Sequence, residues 1–103
     1  NFITKKIIKG NLLKIDEDGV NKNISSKIIL IEKADPGFDW IFSKKIKGLI
    51  TKYGGVNSHM SIRCEELNVP AAIGVGEDNF NNIKKYLNII LNCKNEQIIE
   101  SNL

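Results

Sequence analysis

The sequence predicts an α/β domain, and three observations carry that prediction. Three apolar runs of strand length, Lys27–Glu32, Gly48–Thr51 and Ala71–Gly76, read as strands buried on both faces. The stretches between them carry helix signals, so the order strand, short helix, strand, helix, strand emerges, as in α/β packing. With 42% hydrophobic residues in 103, the chain can fill one core, which makes residues 1–103 a single domain.

Taken in order, residues 2–9 are β-rich, and Gly10-Asn11 reads as a turn before a second short strand at Leu12–Ile15. Asp16–Gly19 is a turn cluster, and Val20–Ser26 carries no clear pattern. After the Lys27–Glu32 run, Asp35-Pro36-Gly37 stops the strand. Asp39 is placed to cap one or two helical turns ending near Lys45, where Lys44 and Lys45 suit the negative end of a helix dipole.

The helix after Ser58 has three readable faces. Met60, Cys64 and Leu67 make an apolar stripe, Ser61, Glu65 and Asn68 a polar one, and His59, Arg63 and Glu66 a third. Pro70 disfavours a helical Val69 and so ends the helix. Tyr86–Asn92 and Gln97–Glu100 read as a hairpin around Cys93–Glu96.

Composition excludes several functions. The net charge is +3, but fifteen basic residues less the single arginine leave fourteen lysines scattered along the chain. The densest group, Lys44, Lys45 and Lys47, lacks interleaved aromatics, so it reads as a solvated face rather than a nucleic-acid surface. No stretch is long and apolar enough to cross a membrane. One histidine and two distant cysteines do not make a metal-ligand set. Without a secretory leader, Cys64 and Cys93 read as reduced thiols of a cytoplasmic protein. The start at Asn1, directly in a strand-like pattern, suggests a domain cut from something larger.

Chemistry concentrates in Thr51–Arg63. Gly54-Gly55 permits a left-handed backbone and close approach of a bulky group. Asn57 or Ser58 can cap the following helix, whose open amides and dipole stabilise an anion by about 0.3–1 kcal/mol per charge. His59, the only histidine, falls at that helix start. A free imidazole titrates near 6.5, so much of it is a neutral nucleophile at pH 7. An imidazole beside an anion-stabilising helix start is what a phosphohistidine requires. Arg63, one turn further on, offers a planar fork for phosphate oxygens; it can equally pair with Glu66 three residues on. Ser58 and His59 are adjacent, which is poor geometry for a nucleophile–base pair, and neither a G-x-S-x-G elbow nor a Walker A loop is present.

The stretch ITKYGGVNSHMSIRCEELNVPAAIGVG resembles the phosphohistidine swivelling domain of phosphoenolpyruvate-utilising enzymes. Thr51, Gly54, Gly55, Ser58, His59, Ile62, Glu66, Leu67, Pro70 and Gly74 match that pattern, and ADPGFDWIF resembles an upstream segment of the synthases in the family. The resemblance covers roughly residues 27–76 and implies a compact three-layer β/β/α fold in which His59 is the phosphorylated residue. It also implies that Gly54, Gly55 and Asn57 shape a phosphate loop. Ser58 and Thr51 would orient the ring or phosphate, with Arg63 neutralising charge.

Two positions depart from the pattern: Ala34 stands where the family usually has a threonine, and Glu65 where it commonly has an arginine. The resemblance further implies an ATP-dependent dikinase whose ATP and Mg²⁺ are bound by an ATP-grasp domain of the same parent chain, with no cofactor on this domain. A further domain would bind a small acceptor, pyruvate or, as in glutamine kinases, the amide of glutamine. Two other expectations stand beside it: an enzyme I-like domain phosphorylated by phosphoenolpyruvate, and a non-catalytic interaction module of the same fold.

Overall fold

A computed structural model describes residues 1–15 and 23–101. Its strands are β1 (Phe2–Ile3), β2 (Ile7–Lys14), β3 (Ile28–Ile31), β4 (Gly48–Thr51), β5 (Ala71–Ala72), β6 (Asn88–Asn92) and β7 (Gln97–Glu100). A 3-10 helix (Pro36–Lys44) joins β3 to β4, α1 (His59–Leu67) joins β4 to β5, and α2 (Glu77–Ile83) precedes β6. The strands form one curled sheet in the order β1-β5-β4-β3-β2-β6-β7.

Strands β5, β4, β3 and β2 run parallel, with helical crossovers joining β3 to β4 and β4 to β5, while β1, β6 and β7 join antiparallel. Strand β2 serves both parts. Its first half, Ile7–Asn11, pairs with β6, and its second half, Leu12–Lys14, pairs with β3. The predicted turn at Gly10-Asn11 is therefore wrong. Gly10 sits inside the ladder opposite Ile89, and the Lys47 side chain crosses over it, 3.1 Å from where a Cβ would stand. The two short strands predicted at 2–9 and 12–15 are in fact β1 and the longer β2.

Every residue of β3 and β4 is buried, as continuous apolar runs predict. Alternation along them feeds two cores. Ile29, Ile31 and Leu49 pack with Met60 and Cys64 of α1 and Ile41 of the 3-10 helix. Ile28, Leu30 and Ile50 face the other way, onto Ile89 and Leu91 of β6 and Phe80 and Ile83 of α2. A helical layer, the parallel strands and the antiparallel strands with α2 are thus the three layers of the expected α/β domain.

Several local readings change. The 3-10 helix is capped by Asp35, whose Oδ1 accepts from the Gly37 amide at 2.8 Å, and not by Asp39; Pro36 then occupies its first turn. It ends at Lys45 in the left-handed region, with Lys44 in its last turn. Strand β5 covers only Ala71–Ala72 of the predicted run, because Gly74 and Gly76 both take positive φ. Helix α2 had no counterpart in the prediction. On α1 the apolar stripe stops at Cys64, since Leu67 is 46% exposed, while Ser61 on the supposed polar face is buried. Asn68 closes α1 in the left-handed region just before Pro70, as expected. The Tyr86–Glu100 hairpin is present, with its first strand starting at Asn88. The Asp16–Gly19 turn and the first part of Val20–Ser26 lie outside the described residues.

Cys64 and Cys93 are both buried free thiols. Burial pushes the Cys64 thiol up to about 12, with Cys93 adding to the rise and Arg63 opposing it. Burial likewise raises the Cys93 thiol. Since only the thiolate reacts, a disulfide reagent at pH 8 is expected to modify neither cysteine in the folded chain and both after denaturation. Rapid modification of one thiol per folded chain would contradict this packing.

Candidate functional site

The site lies where two parallel strands end at the same sheet edge. Ile31 of β3 pairs with Thr51 of β4, so the segments that follow them emerge side by side. The pairing runs on for two residues, with the Lys52 amide donating to Ile31 O and the Tyr53 amide to Glu32 O. The chain after β3 becomes the 3-10 helix, and the chain after β4 becomes the Gly54–Ser58 loop and α1. Binding sites of parallel sheets form at this end, outside the carboxyl ends of the strands.

The loop is locked from beneath. Thr51 is fully buried, and its hydroxyl donates to Tyr53 O at 2.9 Å while accepting from the Gly74 amide at 2.9 Å. That second bond ties the loop after β4 to the chain after β5. Gly54 adopts φ +128°, and a Cβ there would stand 2.7 Å from Ala34 Cβ. Gly74, at φ +71°, presses still closer, leaving 2.1 Å between a hypothetical Cβ and Gly54 O. By contrast nothing lies within 4 Å of where a Cβ on Gly55 would point. Gly54 is thus a steric requirement of the fold, whereas Gly55 leaves open space over the loop.

Ser58, not Asn57, caps α1. Its Oγ accepts from the Ser61 amide at 3.4 Å and donates to Ser61 Oγ at 3.1 Å, and Ser61 Oγ donates in turn to Gly55 O at 2.7 Å. The buried Ser61 is a site residue that the sequence reading had put on a solvent face. The Ser58 amide donates to Gly55 O, closing the turn, and Asn57 stays exposed on it. His59 therefore occupies the first residue of the helix, with its side chain 37% exposed.

The partner of His59 comes from the other segment. His59 Nε2 lies 2.8 Å from Asp39 Oδ1, and Arg63 Nε donates to the same oxygen at 3.0 Å. Arg63 also reaches Glu66, with Nη1 to Oε1 3.7 Å, the i+3 pairing the sequence allowed, beside the Asp39 contact that it did not suggest. Its guanidinium lies 5.5 Å from the centre of the Phe42 ring. Asp39 and Phe42 are three residues apart on the 3-10 helix and so share a side of it. Ala34, where that pattern has threonine, lies against Gly54. The hydrogen bond from His59 and the Arg63 guanidinium hold the Asp39 carboxyl below the usual carboxylate range, against a smaller contribution from burial. A lowered carboxylate pKa means that the bridge contributes above the ordinary value of about 3.8 and is lost as pH falls through the lowered one.

The structure thus brings together Thr51, Gly54, Gly55, Ser58, His59 and Arg63, and adds Asp39, which the sequence reading had spent on a helix cap. Among the described residues, no group of three or more His, Cys, Asp or Glu side chains could hold a metal ion, and no helix is long and apolar enough to cross a membrane. A partly exposed imidazole on a helix start, backed by an arginine, can accept and release a phosphoryl group.

Residues 24–96 match the model of the family described as PEP-utilising enzyme, mobile domain. The chain is also 29% identical over 62 residues to a phosphoenolpyruvate synthase of Aeropyrum pernix, a match covering 59% of this chain and 7% of that enzyme. The chain therefore spans a small fraction of the length of the curated relative it matches. From the match over most of its length, this chain belongs to the mobile-domain family of PEP-utilising enzymes.

Proposed function

We propose that the chain is the phosphocarrier domain of an ATP-dependent dikinase-type phosphotransferase, with His59 as the residue that carries the phosphoryl group. The observation that carries this reading is His59 at the first residue of α1, partly exposed and sharing the Asp39 carboxylate with Arg63. A phosphoryl group on that ring sits over the positive end of the helix, with a guanidinium fork within reach. In the forward step an imidazole nitrogen attacks the β-phosphorus of ATP in line, AMP departs with the bond electrons, and water then cleaves the γ-phosphate from the transferred group as inorganic phosphate, leaving the β-phosphoryl on the ring. Thr51 and Ser58 act by holding the loop and cap in place, and the space over Gly55 admits the donor.

In this reading residues 1–103 move as one domain within a longer cytoplasmic enzyme. ATP and Mg²⁺ are bound by an ATP-grasp domain of that enzyme and the acceptor by another, so the isolated domain has no turnover. The likeness to a phosphoenolpyruvate synthase of Aeropyrum pernix favours pyruvate as acceptor over the amide of glutamine.

The test is to incubate the full-length enzyme separately with ATP labelled at the β or γ position and with labelled phosphoenolpyruvate, without acceptor. Acid-labile, base-stable label from β-labelled ATP, with AMP formed, is the expected result. Label arriving from phosphoenolpyruvate while every ATP position fails would select the enzyme I-like reading. No acid-labile label from any donor would leave only a binding module. Adding pyruvate or glutamine to the labelled enzyme and following loss of label then identifies the acceptor.

A further inference from the structure

Asp39 Oδ1 is an anionic oxygen held by two groups, His59 Nε2 at 2.8 Å and Arg63 Nε at 3.0 Å. A phosphoryl group on that histidine would place its own anionic oxygens against the same arginine. The carboxylate arrives from the 3-10 helix, a different segment from the one that carries the histidine, and its side chain is 44% exposed. It can rotate outward without opening a core. The Phe42 ring, with its centre 5.5 Å from the guanidinium, gives Arg63 a second contact that does not involve the carboxylate. The Nε2–H of the ring donates toward Asp39 Oδ1, and a phosphorus bonded to Nε2 would take that same direction, so it and this carboxylate exclude one another.

Resting on the phosphocarrier reading, we propose that Asp39 is a positioning residue that acts as a placeholder for the phosphoryl group. In the unphosphorylated domain it fills the space between His59 and Arg63, aligns the ring and shields Nε2 from adventitious donors. On transfer the carboxylate withdraws to solvent, and the neutral ring gives its Nε2 proton to water and takes one from water at Nδ1. The Nε2 lone pair forms the N–P bond, the bond from phosphorus to its leaving group breaks, and that electron pair leaves with the leaving group. Nδ1 keeps its proton, and Arg63 turns its fork from the carboxylate to the phosphoryl oxygens.

Phosphoramidate tests this, because it phosphorylates histidine without help from a partner domain. The full-length polypeptide is treated with it, label at the His59 peptide is followed by mass spectrometry, and the nitrogen is identified by ³¹P–¹⁵N coupling. Asp39→Ala is expected to label about fivefold faster than wild type, the factor that one like charge about 4 Å away is worth in water. Asp39→Glu, which keeps the charge, is expected to stay within about twofold of wild type on the same Coulomb argument. The phosphoryl group is expected on Nε2 in all three. An Asp39→Ala rate equal to or below wild type, an equal acceleration in Asp39→Glu, or phosphate on Nδ1 would each overturn the proposal. Thermal unfolding of each variant separates these results from a folding defect. If His59 takes no phosphate from ATP or phosphoenolpyruvate in the wild-type enzyme, the phosphocarrier reading fails, and the phosphoramidate rates still report on Asp39.

Discussion

His59→Ala in the full-length enzyme is expected to abolish acid-labile phosphorylation and overall turnover together, while lowering the unfolding temperature of this domain by no more than about 5 °C. The effect is total because His59 is the only histidine of the chain and no other described side chain stands at the start of α1 with a nucleophilic nitrogen. Loss of a covalent carrier removes the pathway and does not merely raise its barrier, so no fraction of the rate survives through the remaining anion-binding groups. Stability is largely spared because the ring is 37% exposed and its one described partner, Asp39, is 44% exposed; ion pairs of that kind contribute about 0–1 kcal/mol. Undiminished acid-labile label in His59→Ala would place the carrier elsewhere in the parent and sink the assignment. Arg63→Ala serves as a graded companion, expected to keep the label but shorten its lifetime.

Gly74→Ala is expected to cost about 3–5 kcal/mol, a large part of the whole stability of an ordinary domain. Two terms add. A left-handed backbone costs a residue with a Cβ about 1–2 kcal/mol, and Gly74 sits at φ +71°. The new methyl would also stand 2.1 Å from Gly54 O, a backbone atom of the loop that the Thr51 hydroxyl ties down. Relief therefore requires the Gly54 loop to move, and His59 moves with it. For a domain of this size the expected fall in melting temperature exceeds about 12 °C. Gly55→Ala is the matched control, because a Cβ there meets nothing within 4 Å. It should melt within a degree or two of wild type, while slowing phosphoryl transfer if the donor approaches over Gly55. A Gly74→Ala chain that melts like wild type would show that the contact between the two loops is not held in solution.

Much of the framework was legible because its signals are local. The runs at 28–31 and 48–51 are apolar at every position, and such strands are buried whatever packs on them. Ser58 caps and Asn68 closes α1 through bonds made within a few residues. Helix α2 escaped although the signals were there. Glu77 and Asp78 occupy its first turn, Phe80 and Ile83 lie three residues apart on its buried side, and Gly76 precedes it. Seven residues are too few for a 3.6-residue period to stand out against the neighbouring turns. Gly10-Asn11 failed in the opposite way. The dipeptide has turn chemistry, but pairing with β6 on one side and the Lys47 side chain above it hold it extended.

By itself, the sequence determined the buried parallel strands, the glycine turn and the placing of His59 at a helix start. All three follow from residue types within a few positions of one another, where propensity, capping and backbone freedom act. Only the tertiary structure decided who stands beside the histidine. Asp39 lies twenty residues away in the chain, and it reaches Nε2 because the register Ile31↔Thr51 brings the ends of β3 and β4 to one edge. The same packing sets Gly74 against Gly54 and buries Ser61 under the loop. No periodicity reports such contacts, because they arise from the alignment of strands and not from the residues between them.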